Sequence, residues 1–220
     1  MITARGETGM AGATLKKRRL KSAQTKAVRA PQKGTSYPAA AAYLVVDTKK
    51  CDGCCSCMAA CSLVTEGESN YSLSRIQVAQ DTFGRFPEDL QIGQCRQCPT
   101  PLCVQNCPSG ACHVDPKSGN LRMIDQAKCI GCQTCLSSCP FIPHRPIWNP
   151  VKGKASKCDL CVNASFWNEP GGPNGKQACV EVCPMRAIKL VREMPKQRGN
   201  AGYDVNLRNE NAALVKLDLD

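Results

Sequence analysis

Sixteen of the eighteen cysteines in this 220-residue chain fall into four groups of four with repeated spacing. In the first and third groups, successive cysteines are separated by two, two and three residues, and in the second group by two, four and three. The fourth group consists of two close pairs with seventeen residues between them. The groups are Cys51, Cys54, Cys57 and Cys61; Cys95, Cys98, Cys103 and Cys107; Cys129, Cys132, Cys135 and Cys139; and Cys158, Cys161, Cys179 and Cys183. A proline follows every group except the first, and the chain must fold around whatever these groups bind.

Short repeated spacings of this kind suit a cubane iron–sulfur cluster. A 4Fe–4S cluster needs four thiolates that converge on its corners. Three cysteines at two-residue intervals can wrap three corners, and Gly53 and Gly131 let the loop backbone pass close to the sulfides. The fourth cysteine, three residues further on in a short helix, points away and binds the other cluster of a pair. The chain is therefore predicted to hold four 4Fe–4S clusters.

The crossing of the fourth cysteine predicts which cysteines share a cluster. Two outer clusters are expected from the first and fourth groups, and two inner clusters from the second and third groups. The outer ligand sets are Cys51, Cys54, Cys57 and Cys183, and Cys158, Cys161, Cys179 and Cys61. The inner ligand sets are Cys95, Cys98, Cys103 and Cys139, and Cys129, Cys132, Cys135 and Cys107.

Zinc sites and disulfides are the alternatives for so many cysteines. Aromatic residues make up only 5% of the chain, so something besides an apolar core must stabilise it. Structural zinc sites usually pair two Cys-x2-Cys units, often with histidine, whereas His113 and His144 belong to no such pair. Disulfides do not require a repeated spacing. Both alternatives are therefore disfavoured.

Two cysteines lie outside the four groups. Cys55 sits inside the first loop, and Cys112 follows the second group. Each is either a spare or redox-sensing thiol or a small buried apolar side chain, and the second interpretation is favoured. The two histidines and two tryptophans are predicted to serve packing or an interface, because no acid–base or nucleophile pattern surrounds them. No catalytic site is expected in this chain.

The net charge of +11 is concentrated near the N-terminus. Residues 1–33 hold nine basic side chains and one acid, so they carry eight of the eleven charges. Four clusters with their thiolates would add about −8 and leave the rest of the chain at about −5, so no nucleic-acid partner is expected. The basic arm is predicted to be disordered or to lie across an acidic surface of a larger subunit.

The sequence suggests neither an export signal nor a membrane span. Arg18 and Arg19 are followed by polar and charged residues rather than by the apolar run of a twin-arginine signal. No stretch has the apolar length of a transmembrane helix. A cytoplasmic location is therefore expected, where a reducing environment favours metal binding over disulfides.

The predicted fold class is α+β, loop-rich and stabilised by the clusters, with two nested modules like bacterial ferredoxins. Short β-like runs at 42–47 and 121–125 stop just before the first and third cysteine groups, and Gly119 marks a turn that makes the second run part of a hairpin. Residues 214–219 alternate like a further strand or form a frayed end. The predicted divisions are a basic arm at 1–40, an outer module at 41–84 and 148–194, an inner module at 85–147 and a tail at 195–220.

The cysteine strings resemble a known family. The runs CRQCPTPLCVQNCP, CIGCQTCLSSCPFIP, KCDLC and ACVEVCP, in this order, are similar to the four-cluster iron–sulfur subunits of the dimethyl sulfoxide reductase type. That resemblance implies a chain of clusters that passes single electrons to or from a large catalytic subunit with a molybdenum or tungsten pterin. A flavin or ferredoxin partner for electron exchange is also expected.

A narrower resemblance comes from LVVDTKKCDGCCSCMAACSLVTEG and YSLSRIQV, which look similar to electron-transfer subunits of tungsten aldehyde oxidoreductase and tungsten benzoyl-coenzyme A reductase complexes. The sequence departs from the general family pattern at three places: Ser62 replaces the expected proline, Cys55 is extra, and the basic arm lies outside the match.

Two other functions are compatible with the residues themselves. One is a free polyferredoxin that carries electrons between enzymes. The other is an iron–sulfur or zinc protein with a structural or nucleic-acid role that uses the basic arm. The leading expectation is a non-catalytic electron-transfer subunit in a hetero-oligomeric oxidoreductase complex.

Overall fold

A computed structural model describes residues 37–86 and 89–195. The basic arm up to residue 36 and the tail from residue 196, including the expected strand at 214–219, lie outside the described residues. The helices are α1 (Ser56–Glu66), α2 (Leu102–Gln105), α3 (Thr134–Ser137) and α4 (Ala178–Glu181), with 3-10 turns at Tyr71–Leu73 and Pro116–Ser118. The strands are β1 (Tyr43–Val46), β2 (Ile76–Gln80), β3 (Leu90–Gln94), β4 (Cys112–Asp115), β5 (Leu121–Ile124), β6 (Ile147–Asn149), β7 (Lys154–Ser156) and β8 (Ile188–Val191).

The described strands form four separate antiparallel pairs. The first strand pairs with the last, so that Tyr43 lies opposite Val191 and Val46 opposite Ile188. The other pairs are β2 with β3, β4 with β5, and β6 with β7. All four residues of β1 are buried, as expected for its continuous run of apolar side chains. The architecture is a loop-rich α+β fold, as predicted from the sequence.

The hairpin predicted around Gly119 is confirmed. Gly119 has a φ of 70°, which favours glycine, and follows the 3-10 turn at Pro116–Ser118. The side chain of Asp115 caps that turn by accepting a hydrogen bond from the Lys117 N–H at 3.2 Å. The β2–β3 and β6–β7 hairpins were not predicted, and β2–β3 has one strand on each side of the expected module boundary after residue 84.

The core is built from apolar strands and cysteine side chains together. The larger buried cluster contains β1 residues and Cys57, Cys61, Cys95, Cys158 and Cys179. A smaller buried cluster contains Cys112 and Cys135. The sulfur groups therefore occupy the positions that large apolar side chains fill in other proteins. Within the described part of the chain, no helix has the length and hydropathy that a membrane crossing requires.

Candidate metal centres

The loops of the first and third cysteine groups have the same backbone shape. Gly53 and Gly131 both have a φ of 75°, a conformation that favours glycine. Two residues later, Cys55 and Gln133 have φ values of 59° and 57°. Cys55 therefore occupies a left-handed position set by the loop, and its thiol has no counterpart in the third group.

A first cavity is lined by Cys51, Cys54, Cys57 and Cys183. Cys54 is exposed and Cys57 is buried. Burial raises the pKa of Cys57 to about 12, and the negative charges of neighbouring thiolates, Cys51 first, add to the rise. Cys55 also lines this cavity, half-buried, and its thiol donates a hydrogen bond to the Gly53 carbonyl at 3.2 Å.

A second cavity is lined by four cysteines of the first and fourth groups together with an ion pair. Arg75 and Asp159 lie on its wall, and the guanidinium Nη1 is 3.0 Å from the carboxylate Oδ1. Both side chains are less than a tenth exposed, so the pair is only weakly screened. The cysteines are Cys61, Cys158, Cys161 and Cys179.

A third cavity is lined by four cysteines of the second and third groups and by three basic side chains. The cysteines are Cys95, Cys98, Cys103 and Cys139, and the basic residues are Arg96, Arg145 and Lys157. The guanidinium groups of Arg96 and Arg145 lie 4.4 Å and 5.5 Å from the centre of the Phe141 ring, which fixes them beside the cysteines. Lys157 is only 3% exposed, and its Nζ is 3.6 Å from the Cys103 Sγ.

Three of the remaining four grouped cysteines lie in or against the smaller buried cluster. Cys135 belongs to that cluster, and Cys107 and Cys129 pack against it. Burial, followed by the charges of nearby thiolates, raises the pKa of Cys135 to about 12. Cys132 lies in the loop between Cys129 and Cys135 and is exposed.

The sulfur of the fourth cysteine in each group accepts a backbone hydrogen bond. The donors are the N–H groups of Arg75, Cys112, Arg145 and Ala187, and the acceptors, each at 3.3 Å, are the sulfurs of Cys61, Cys107, Cys139 and Cys183. Hydrogen bonds of this type stabilise a thiolate and influence the potential of a bound cluster. The same polar feature thus recurs at four separate places in the chain.

Burial raises the pKa of several of these thiols. The pKa of Cys98 is raised to about 12 and that of Cys161 to about 11, in both cases mainly by burial. A coordinated metal removes the thiol proton outright and supplies the positive charge that converging thiolates lack. The donor set therefore fits an iron–sulfur cluster, whose four ligands are thiolates.

The three cysteine-lined cavities are alike in size, although the charges of their walls differ. Among residues 37–86 and 89–195, no group of three or more His, Cys, Asp or Glu side chains lies close enough to hold a single metal ion.

The pKa values of Cys103 and Cys112 shift in opposite directions. The interaction with Cys112 and the charge of Lys157 lower the pKa of Cys103, although burial opposes this. The interaction with Cys103 and burial raise the pKa of Cys112. Cys112 is 2% exposed and is therefore a small buried side chain, as the sequence predicted.

Cysteine spacing did not reveal the charged residues around the cavities. Lys157 directly precedes the fourth group, and its position before Cys158 was the only available signal. Arg122 is fully buried and donates from Nε to the Cys98 carbonyl at 2.9 Å and from Nη2 to the Pro38 carbonyl at 2.8 Å. These hydrogen bonds connect β5 to the loop of the second group. A charged residue is usually exposed, so the sequence offered no reason to expect Arg122 to be buried.

Comparison with known proteins identifies the family. The 4Fe–4S dicluster domain matches residues 89–193. The chain is 31% identical over 151 residues to the thiosulfate reductase electron transfer subunit PhsB of Salmonella typhi, covering 66% of this chain and 73% of that protein. The protein belongs to the 4Fe–4S dicluster family of electron-transfer subunits. As an electron-transfer subunit of this family, it is a non-catalytic iron–sulfur component of an oxidoreductase complex.

Two further similarities involve this electron-transfer subunit. It is 30% identical over 168 residues to the B subunit of the anaerobic dimethyl sulfoxide reductase of Escherichia coli, covering 70% of this chain and 76% of that subunit. The resemblance inferred from the cysteine strings is thereby confirmed. A solved active-site complex, BamBC of benzoyl-coenzyme A reductase with zinc, is 23% identical and covers 71% of this chain and 82% of the other, with a TM-score of 0.37. That score is too low to support a structural conclusion.

Proposed function

We propose that the electron-transfer subunit carries four 4Fe–4S clusters and relays single electrons to or from a catalytic subunit with a tungsten or molybdenum pterin. All sixteen grouped cysteines act as ligands. The outer sets are Cys51, Cys54, Cys57 and Cys183, and Cys61, Cys158, Cys161 and Cys179. The inner sets are Cys95, Cys98, Cys103 and Cys139, and Cys107, Cys129, Cys132 and Cys135.

The observation that carries this proposal is the composition of the three cavities. Each is lined by four of the grouped cysteines, joined in the first cavity by Cys55, and each combines cysteines from two groups that are distant in sequence. In the first cavity, for example, Cys183 joins Cys51 across more than 130 residues. A crossed arrangement of this kind is what two-cluster ferredoxins use.

Two nested modules follow from the same pairing. In the proposed outer module, β1 pairs with β8, and α1 packs on α4. In the inner module, β4 pairs with β5, and α2 packs on α3. The divisions we propose are 41–84 with 148–194 for the outer module and 85–147 for the inner one.

Neighbouring thiolates suggest a linear order of the sites. Burial, and then the charges of other thiolates that include Cys57, raise the pKa of Cys179, which supports neighbouring positions for the first two sites. Cys95 acts in the same way on Cys158, and Cys103 on Cys135. The proposed order therefore runs from the first cavity through the second and third to the fourth site.

The two ends of this order reach the surface. Cys54 at one end and Cys132 at the other are exposed. Apolar side chains lie exposed beside them, Met185 on the wall of the first cavity and Ile130 in the loop of the third group. We propose that the catalytic subunit docks at one end and that a flavoprotein or ferredoxin exchanges electrons at the other. The hetero-oligomer is placed in the cytoplasm, where reduced thiols persist.

Anoxic affinity purification tests the proposed partner. A tagged chain should co-purify with a larger subunit, and metal analysis of that complex should detect tungsten or molybdenum in addition to iron. A chain that purifies alone with its clusters and exchanges electrons with several soluble enzymes would instead identify a free polyferredoxin.

A further inference from the structure

The third cysteine cavity differs from the other two in the charge of its wall. Three basic side chains line it, and no acidic side chain does. The first cavity is lined by one acid, Asp52, and by no basic residue. In the second, Arg75 is paired with Asp159, so the two charges offset each other. Two of its three basic residues, Arg145 and Lys157, form no ion pair with a carboxylate of the described residues, so their charges remain on the wall of the third cavity.

We propose that the cluster held by Cys95, Cys98, Cys103 and Cys139 has the most positive reduction potential in the chain and holds the first electron that enters. This inference rests on the proposed four-cluster function. Reduction adds one electron from a neighbouring cluster and makes the site one unit more negative, without a proton or any other reactant. Basic side chains favour this more negative state and so raise the potential.

Lys157 supplies the largest part of the effect. It is buried, its Nζ faces the Cys103 sulfur at 3.6 Å, and it forms no ion pair with any carboxylate of the described residues. A buried charge is screened far less than one in solvent. Its positive charge therefore acts on the nearest negative group, which is the ligand set of the third cavity.

Solvent exposure is the competing effect. Exposure of Cys54 favours reduction at the first site, because water stabilises added negative charge. The buried charge prevails in our account because Lys157 lies in contact with a ligand. Asp52, the one charged residue of the first cavity, is fully exposed and acts through solvent.

Redox titration followed by electron paramagnetic resonance tests the inference on the purified cluster-loaded chain. The Lys157→Met variant removes the charge and keeps a long apolar side chain. It should lower the most positive of the four midpoint potentials. The expected decrease in the reduction equilibrium constant is at least tenfold, which corresponds to about 59 mV for one electron. The control, Lys152→Met, alters a half-exposed lysine that pairs with Glu66 and lines none of the three cysteine cavities. This control should change the reduction equilibrium constant of every cluster by less than threefold.

The outcomes separate this inference from the proposed function. If the Lys157→Met variant retains its iron and its most positive midpoint does not move, the inference is wrong although the four clusters stand. If that variant loses iron, Arg145→Gln decides, because it removes a half-buried charge from the same wall. It should lower the reduction equilibrium constant of the same cluster about threefold. An unchanged midpoint potential would overturn the inference. Fewer than four clusters in the unaltered chain would instead contradict the proposed function.

Discussion

The first and third cysteine groups have the same spacing and the same loop backbone, but the helices that follow differ in length. Helix α3 ends after four residues at Ser137. Helix α1 continues for eleven residues to Glu66, where Gly67 terminates it with a φ of 82°. The short helices α2, α3 and α4 all end just before a Cys-Pro pair.

The residue after the fourth cysteine explains the difference. Pro140 follows Cys139, and proline keeps the preceding residue out of the helical region. Ser62 follows Cys61, is fully buried inside α1, and accepts a hydrogen bond from the Asn70 N–H at 3.0 Å. The comparison shows that cluster binding specifies the loop, whereas one residue outside the ligand set specifies how far the helix runs.

The longer helix has a structural role. Its last turn places Glu66 beside two basic groups, with Lys152 at 2.6 Å and Arg75 at 4.0 Å. The Val64 carbonyl in the same turn accepts a hydrogen bond from the Phe166 N–H at 3.0 Å. Helix α1 therefore connects the first group to the long segment between the two cysteine pairs of the fourth group.

Removal of the clusters should have the largest effect on the fold, because both loops should then lose the backbone shape that they share. Five cysteines belong to the larger buried cluster. Without iron, their thiols would have no metal to bind, and the core would lose the bonds that hold it together. We expect the apo chain to lose most of its far-ultraviolet circular dichroism after chelation. A cooperative thermal transition in the apo chain would contradict this expectation.

The Ser62→Pro variant should shorten helix α1, so that the chain after the first cysteine group resembles the chain after the third group. Proline inside α1 would clash with the preceding turn, at a cost of about 3 kcal/mol or more, and would displace Cys61 from its helical conformation. The rate of cluster loss at raised temperature should therefore increase strongly. Ser62→Ala is the control and should cost about 1 kcal/mol, because it removes only the hydroxyl hydrogen bonds. Equal rates in the two variants would show that the helix length does not depend on this position.

Alanine at the two loop glycines should show how closely the loops are equivalent. Both glycines have a φ of 75°, so either substitution should cost about 1–2 kcal/mol in backbone strain. A Cβ at Gly131 would also overlap the Gly153 carbonyl oxygen, whereas one at Gly53 would meet the Leu90 side chain at 3.2 Å. Gly131→Ala should therefore lose its cluster faster than Gly53→Ala in chelator competition. The opposite order would contradict the environments described for the two loops.

Substitution of Cys55 and Gln133 by asparagine should have the smallest effect. Asparagine tolerates the left-handed conformation that both positions adopt. Each variant should change the stability by less than about 0.5 kcal/mol, and both should retain full iron content. Loss of one cluster in Cys55→Asn alone would show that this thiol is a ligand and would distinguish the two loops chemically.

The sequence predicted those parts of the structure that follow from spacing and from strong local signals. The buried strand β1, the β4–β5 hairpin with Gly119 and the short helices near the cysteine groups were all expected from the residues. The β2–β3 hairpin was not, because its strands, IQVAQ and LQIGQ, alternate apolar residues with glutamine and glycine over only five positions. Packing on the cysteine core rather than local preference determines such short strands.

The charges around the cavities could not be predicted for a different reason. Lys157 and Arg75 are far apart in sequence from most of the cysteines they approach, so their positions depend on the tertiary fold. A lysine beside a cysteine in the sequence does not indicate which ligand set its amino group will face. Lys157 adjoins Cys158, yet its Nζ lies at Cys103, in another cavity.

The central claim is that sixteen cysteines hold four clusters, and a count of iron and acid-labile sulfide per chain tests it most directly. The chain should be purified without oxygen and quantified by amino-acid analysis. Our account predicts about sixteen iron and about sixteen sulfide per chain, and it predicts the same values for Cys112→Ala. A value near eight or twelve in the fully loaded protein, or zinc in place of iron, would contradict it.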